Sequence, residues 1–232
     1  MTLRAFAIAL ATATMLCACE REPSPRVTPA APAVAPAASN PQAGADLRRH
    51  DSEVMETLRR LPDSRLQDRE RAALAQGTTL RPGATAAQIE ALAKRIGKPL
   101  PPSWRDFLAA SNGMLFHGAL NTVTMHEAAA VEPLTNRNLP GLGVWLAMPD
   151  VAVPLDPTAG GPLPGPALAR AWVLSSVEDG DVYLIFPDLA HPDGEWPVWF
   201  FGPKNPGAYG YRSFGAMLAA ERVRGLQELR RR

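Results

Sequence analysis

Four histidines, two cysteines, a serine pair, a glycine pair and a run of carboxylates are the side chains of this sequence with chemistry to offer. His50, His117, His126 and His191 could act as bases or metal ligands. None has a partner three or four residues away, the spacing that sets two ligands on one helix face. Carboxylates are common enough that any histidine has one nearby, so His117 and His126 read as surface or strand-end residues. Ser175-Ser176 lies in a strand-like run without the sharp turn that presents a nucleophilic serine, which suits a hydroxyl pair in a strand. Gly160-Gly161 is not followed by the Lys-Ser/Thr of a phosphate loop, and no dinucleotide fingerprint follows a strand. These residues give no catalytic set, no metal site and no cofactor, and they argue against an enzyme.

The carboxylates say more. Glu178, Asp179, Asp181, Asp188, Asp193 and Glu195 put six acids into residues 178–195, with no Lys or Arg among them. Lys94, Arg95, Lys98 and Arg105 make the upstream helical region basic, and the tail is rich in Arg. Two neighbouring acidic turns would form one negative rim that steers a basic partner. The plainer reading is that solvated turns are acidic. The spacing matches no calcium loop. With 24 Lys+Arg against 23 Asp+Glu the formal charge is only +1, without the basic footprint of a nucleic-acid binder. A protein partner is expected, with neither nucleic acid nor a small-molecule substrate.

At the front, Arg4 precedes a short apolar run over residues 5–16, followed by small residues, which is the layout of a secretory signal peptide. The run is too short to span a bilayer. Leu16-Cys17-Ala18-Cys19 resembles the lipobox of bacterial lipoproteins, with Cys17 a departure at the variable position. The resemblance implies cleavage after Ala18, a diacylglyceryl group on the Cys19 sulfur and acylation of the new amino terminus. Glu20, where an enterobacterial inner-membrane retention signal has Asp, points by analogy to the outer membrane, facing the periplasm. Residues 19–45 then read as the lipidated Cys and a disordered Pro/Ala-rich tether, with six Pro in residues 20–45. Extended at about 3.1 Å per residue, that stretch reaches roughly 80 Å.

The elements behind the tether start as helices. Leu47, Val54, Met55, Leu58 and Leu61 recur at helical spacing up to Pro62. Asp63-Ser64 can cap a second helix that Gly77 closes. Both are charged and thinly apolar, as expected of a helical extension (46–79) outside the core. Thr85 and Gln88 form a capping box for a helix with Ile89, Leu92, Ala93 and Ile96 on one face and Gly97 as its stop. Pro101 and Pro102 suit the first turn of the next helix, where Trp104, Phe107, Leu108 and Ser111 point one way and Asn112-Gly113 ends the run. Residues 120–125, 143–148, 171–177, 182–186 and 196–201 read as strands. Asp179-Gly180 and Pro192-Asp193-Gly194 mark tight turns. Alternation sends Trp196 and Phe200 to one face of the last strand, and Trp199 and Phe201 to the other. Strands joined by such turns, with helices before and after, give an α+β fold with an antiparallel sheet. Residues 149–166, with six Pro and three Gly, read as a lengthened connection, a recognition loop or a tolerated insertion.

The residues Ile89, Leu92, Ile96, Gly97, Leu100, Pro101, Trp104, Phe107, Leu108, Asn112 and Gly113 resemble the opening of the SUKH (Smi/Knr-type) superfamily. Its pattern sets Leu-Pro and Asn-Gly on either side of a helix of fixed length, with an aromatic, often Tyr, where Trp104 stands. The strand-turn-strand over residues 170–186 and the helix opened by Ser213 and Phe214 fit its later parts. The resemblance covers about residues 80–222 and assigns residues 80–232 to such a domain. It implies a non-catalytic, immunity-type module that binds and neutralises a toxin. The alternative is an envelope scaffold or regulator of cell-wall assembly with no toxin partner.

Overall fold

A computed structural model describes residues 40–118, 121–152, 162–202 and 209–232. The signal peptide, Cys19 and the stretch up to residue 39 lie outside the described residues. Helix α1 (Pro41–Arg60) is capped by Asn40, whose side chain accepts the Gln42 N–H at 3.0 Å. Residues 41–45, expected to finish the extended tether, are instead its first turn. Asn before Pro starts a helix, because Asn caps free donors and Pro at the first position gives up no bond. A 3-10 turn over Asp63–Arg65 precedes α2 (Asp68–Gln76). The cap of α2 is not Asp63-Ser64 but Gln67, whose N–H donates to the Glu70 carboxylate at 2.7 Å.

Helix α3 (Ala86–Ile96) carries the expected capping box. The Thr85 N–H donates to Gln88 Oε1 at 2.8 Å, and Gly97 closes the helix at φ +81°. Helix α4 (Pro102–Ala110) follows, and then a hairpin of β1 (Met114–His117) and β2 (Thr122–Met125). The chain continues through β3 (Glu132–Pro133), α5 (Leu142–Leu146), β4 (Asp150–Ala152), β5 (Leu163–Pro164) and a 3-10 segment, Gly165–Arg170. It ends in β6 (Trp172–Val173), β7 (Val182–Ile185), β8 (Val198–Phe201), β9 (Tyr209–Tyr211) and α6 (Phe214–Arg231), the last capped by Ser213. Strands β3, β6, β7, β8 and β9 form an antiparallel sheet in that order. The architecture is α+β, as the patterning requires.

Both faces of this sheet are covered. On one, Tyr183, Ile185, Val198 and Phe200 join Trp104, Phe107, Phe116, Val123 and Phe214 in the larger core. On the other, Val182, Leu184, Trp199 and Phe201 meet Leu139, Leu142, Leu163 and Leu168. The alternation read from β8 therefore holds, and neither aromatic set is left open.

The second face explains two departures from expectation. Residues 143–148 were expected as a strand, yet Leu142–Leu146 is helical. Leu142, Trp145 and Leu146 stand at i, i+3 and i+4, and that period outweighs the β-branched Val144. Trp145 meets Phe201 edge-on at 5.5 Å. The long connection is also more than a tolerated insertion at its flanks, since β4 pairs with β5 and the buried Leu163 and Leu168 close the sheet. Its central part, 153–161, lies outside the described residues.

The helical extension packs on the domain rather than standing off it. Leu47 enters the larger core, and Val54, Met55 and Leu58 form a third cluster with Leu226 and Leu229 of α6.

Candidate functional site

The densest polar cluster lies where α1 and α2 meet β1 and α6. Glu70 is 0% exposed, an expensive place for a carboxylate unless its oxygens are fully bonded. Its Oε1 faces His117 Nε2 at 3.1 Å and accepts from Arg232 at 2.5 Å; Oε2 accepts the Gln67 N–H at 2.7 Å and a second Arg232 N–H at 3.0 Å. Burial works against the charge, and the bonds from His117, Arg232 and Gln67 outweigh it, holding the carboxyl at about 2. Arg232 also donates to the Arg65 carbonyl, so it ties the 3-10 turn before α2 as well as Glu70 within it. On α1, Asp51 accepts from the Thr79 N–H (2.7 Å), Thr79 Oγ1 (2.5 Å) and Thr78 Oγ1 (2.7 Å). Beside it His50 is 7% exposed, and its Nε2 has no hydrogen-bond partner among the described residues. Burial first, then Arg222 and His117, lower that imidazole to about 4 against the opposing pull of Asp51.

Another buried carboxylate sits on α6. Glu221 accepts from Tyr183 Oη at 2.8 Å, Tyr211 Oη at 2.5 Å and Arg224 at 3.2 Å. Burial and then the Glu221 charge push both phenols well above their ordinary value, so they act as fixed donors. Gly118 and Gly225 let the backbone close over this cluster. A Cβ on Gly118 would stand 2.5 Å from Tyr183 Oη, and one on Gly225 only 1.7 Å from the His117 carbonyl oxygen. Chemically, Glu70 and Glu221 each accept from at least three donors, which suits them to holding elements in place. Among the described residues, no three His, Cys, Asp or Glu converge as metal ligands.

His117 is thus not a surface residue. It ends β1, 4% exposed, and its partner is on α2. Arg232 is expected from the sequence only as part of the Arg-rich tail, and Glu70, Asp51 and Glu221 are not expected at all. Of these, Glu70 alone left a local trace, as the third residue after a Gln that caps a helix.

The six acidic candidates do not gather on one rim. Glu178, Asp179 and Asp181 precede β7, while Asp188, Asp193 and Glu195 follow it, and successive antiparallel turns fall at opposite ends of a sheet. Each group is also engaged within the chain. Asp179 (φ +55°) and Gly180 (φ +86°) make the expected left-handed hairpin turn. Glu178 pairs with Arg69 at 2.6 Å and accepts from Ser176. Asp181 is buried and bonded to Asn121. Asp188 takes Lys98 at 2.5 Å and Arg170 at 2.6 Å, and the Lys98 bond holds it below the usual carboxylate range. Asp193 pairs with Arg212 at 2.6 Å, with the same effect. Part of the charge asymmetry of the sequence is therefore resolved inside the fold.

Glu195 completes a helix end. It accepts the Ser103 N–H at 2.9 Å and Ser103 Oγ at 2.6 Å, and that hydroxyl accepts the Gly215 N–H at 3.0 Å. The Ser103 N–H is one of the donors that a helix start leaves unpaired. Glu195→Ala is expected to cost about 1–2 kcal/mol, as loss of a cap does. A fall of several degrees in the thermal midpoint, with Glu195→Gln falling less, would show this; an unchanged midpoint would contradict it.

The motif residues serve the core and the turn. Trp104 contacts Trp196 and Phe214, each with ring centroids at 6.3 Å, and Phe107 lies 4.9 Å from Phe214. Leu100, Pro101 and Leu108 are buried with them, and Ser213 starts α6 so that Phe214 can reach the cluster. Asn112 Oδ1 accepts the Ala128 N–H at 2.7 Å. Gly113, at φ +94°, passes so close to β2 that a Cβ would lie 2.6 Å from the Met125 carbonyl. Leu-Pro and Asn-Gly thus fix where α4 starts and how it hands the chain to the hairpin.

No curated protein matches the sequence. A family model does, over residues 83–220, which is more than half of the chain. That span runs from the residues before α3 into α6 and includes every motif residue just placed. With the helix, turn and sheet all in the positions the motifs require, the chain belongs to the SMI1 / KNR4 family (SUKH-1).

Proposed function

We propose that this chain is a lipid-anchored envelope protein whose family domain binds and blocks a protein toxin without chemistry of its own. The family match carries the reading, since domains of this family are generally non-catalytic and often of immunity type. The lipobox-like Leu16-Cys17-Ala18-Cys19 supplies the compartment. A protein fixed outside the cytoplasm meets toxins that act in the envelope or cross it, and it neutralises them by covering their working surface. The acidic turns at the two ends of β7 are the proposed contact regions, with the exposed Val177 and Leu189 beside them.

Two or more acyl chains make attachment stable, where one chain gives only marginal binding. Cys19→Ser is therefore expected to move the protein from the membrane fraction to the soluble one and to abolish acylation, seen in the mass of the intact mature chain. A wild-type chain that still begins at Met1, or whose Cys19 carries no lipid, would overturn the anchor.

A further inference from the structure

The third apolar cluster, with Val54, Met55, Leu58, Leu226 and Leu229, lies wholly outside the family match at 83–220. The segments flanking the family region have thus built a layer of their own, and α1 lies across α4 and α6 with Leu47 seated in the larger core. The layer meets the domain through polar groups beside clefts. One cleft of about 310 Å³ is lined by His50 together with Asp46, Arg49, Glu53, Arg222 and Arg230. Another of about 260 Å³ is lined by Gln67, His117, Glu228 and Arg232, next to Glu70. His50 itself lines the first cleft, so water and protons can reach its ring there.

The surroundings of His50 disfavour a second charge. Across the interface α6 presents Arg222, whose guanidinium donates to the carbonyls of Leu218 and Asp46, and Arg230 further along. From β1 comes His117, itself bonded to Glu70 of α2, and α4 carries Arg105 and Asp106. On α1 itself, Arg49 stands with Asp46 and Glu53 in the cleft lining, and the oxygens of Asp51 are taken by Thr78 and Thr79. A proton gained at His50 Nε2 would meet no acceptor among the described residues.

We propose that α1 is an acid-sensitive strap across the family domain, lifted by protonation of His50 while α2 stays latched through Glu70. The sign follows from the depressed imidazole. Its seated value, about 4, lies below its ordinary 6.5, so the seated strap binds fewer protons than the lifted one. Seating is at full strength above pH 6.5 and weakens as pH falls towards 4. Glu70, held at about 2, keeps its charge and its ties to Arg232 through most of that window. Between pH 7 and pH 5 the opening constant of α1 should rise roughly 20-fold. Lifting uncovers the seat of Leu47 and the face of α4 and α6, at the point where the chain enters the domain from its proposed anchor.

Hydrogen exchange of the full chain, read by mass spectrometry at pH 7 and pH 5 and corrected for intrinsic rates, tests this. Peptides from 47–58 should lose protection roughly 20-fold, while those from 68–76 and 182–201 keep theirs. His50→Gln should flatten the response. Arg222→Gln, which keeps the imidazole but removes a charge that depresses it, should shrink the response, and it carries the test if His50→Gln does not fold. A loss over 47–58 no greater than over 182–201, or a full response without His50, overturns the strap.

Discussion

Gly225→Ala should destabilise the protein by about 3 kcal/mol. The methyl would sit 1.7 Å from the His117 carbonyl oxygen and 2.5 Å from its carbon, contacts with backbone that no rotamer can relieve. Either α6 moves outward, loosening Leu226 and Leu229, or the end of β1 shifts and draws His117 away from Glu70. Alanine is the better helix former by about 1 kcal/mol, so the clash must exceed that gain. At 2–4 °C per kcal/mol, the thermal midpoint falls by about 6–12 °C. The matched control is Gly143→Ala in α5, where none of the described residues lies within 4 Å of the added carbon. That substitution should stabilise by about 0.5–1 kcal/mol. Equal midpoints for the two variants would contradict the close approach of α6 to β1.

Glu70→Ala should cost about 3–5 kcal/mol, because it leaves a buried His117 and the Arg232 guanidinium facing an empty site. Glu70→Gln should cost less, since the amide keeps one acceptor. The pH dependence runs the same way. The folded carboxyl, at about 2, lies below its ordinary 4.5, so its contribution is complete above pH 4.5 and is lost as pH falls through that range towards 2. Its full size is about 3 kcal/mol. Denaturant unfolding at pH 7 and pH 3 measures it. Wild type should lose stability that Glu70→Gln has already lost, so the two curves converge in acid. Parallel curves would mean that Glu70 is not the titrating group.

Much of this fold is local and could be read directly. The Thr85–Gln88 box, the Gly97 stop, the Asn112-Gly113 exit and the Asp179-Gly180 turn each place their chemistry within a few residues, and each stands in the structure where it was expected. The helix start at Asn40-Pro41 is just as local, but it was hidden by five earlier prolines that favour extended chain. α5 departs from the strand its β-branched and aromatic residues suggest, because the helical spacing of Leu142, Trp145 and Leu146 outweighs residue preference. The polar seam is different in kind. Glu70 lies 47 residues from His117 and 162 from Arg232, and neither separation has a period or a motif to announce it. The acidic run was plain in sequence, but only the strand order shows that its two halves sit at opposite ends of β7.

For the proposed toxin-binding role, the most direct measurement is capture of the full-length protein from detergent-solubilised envelopes of its own host. The tag belongs in the Pro-rich stretch before Asn40, leaving Arg232 to its contacts with Glu70. Mass spectrometry then reads both the first residue and what comes with it. A lipidated Cys19 together with a stoichiometric secreted toxin, whose effect on growth the protein relieves, is the expected result. A lipidated chain bound to cell-wall assembly proteins without a toxin, or an unprocessed chain in the cytosol, would contradict it.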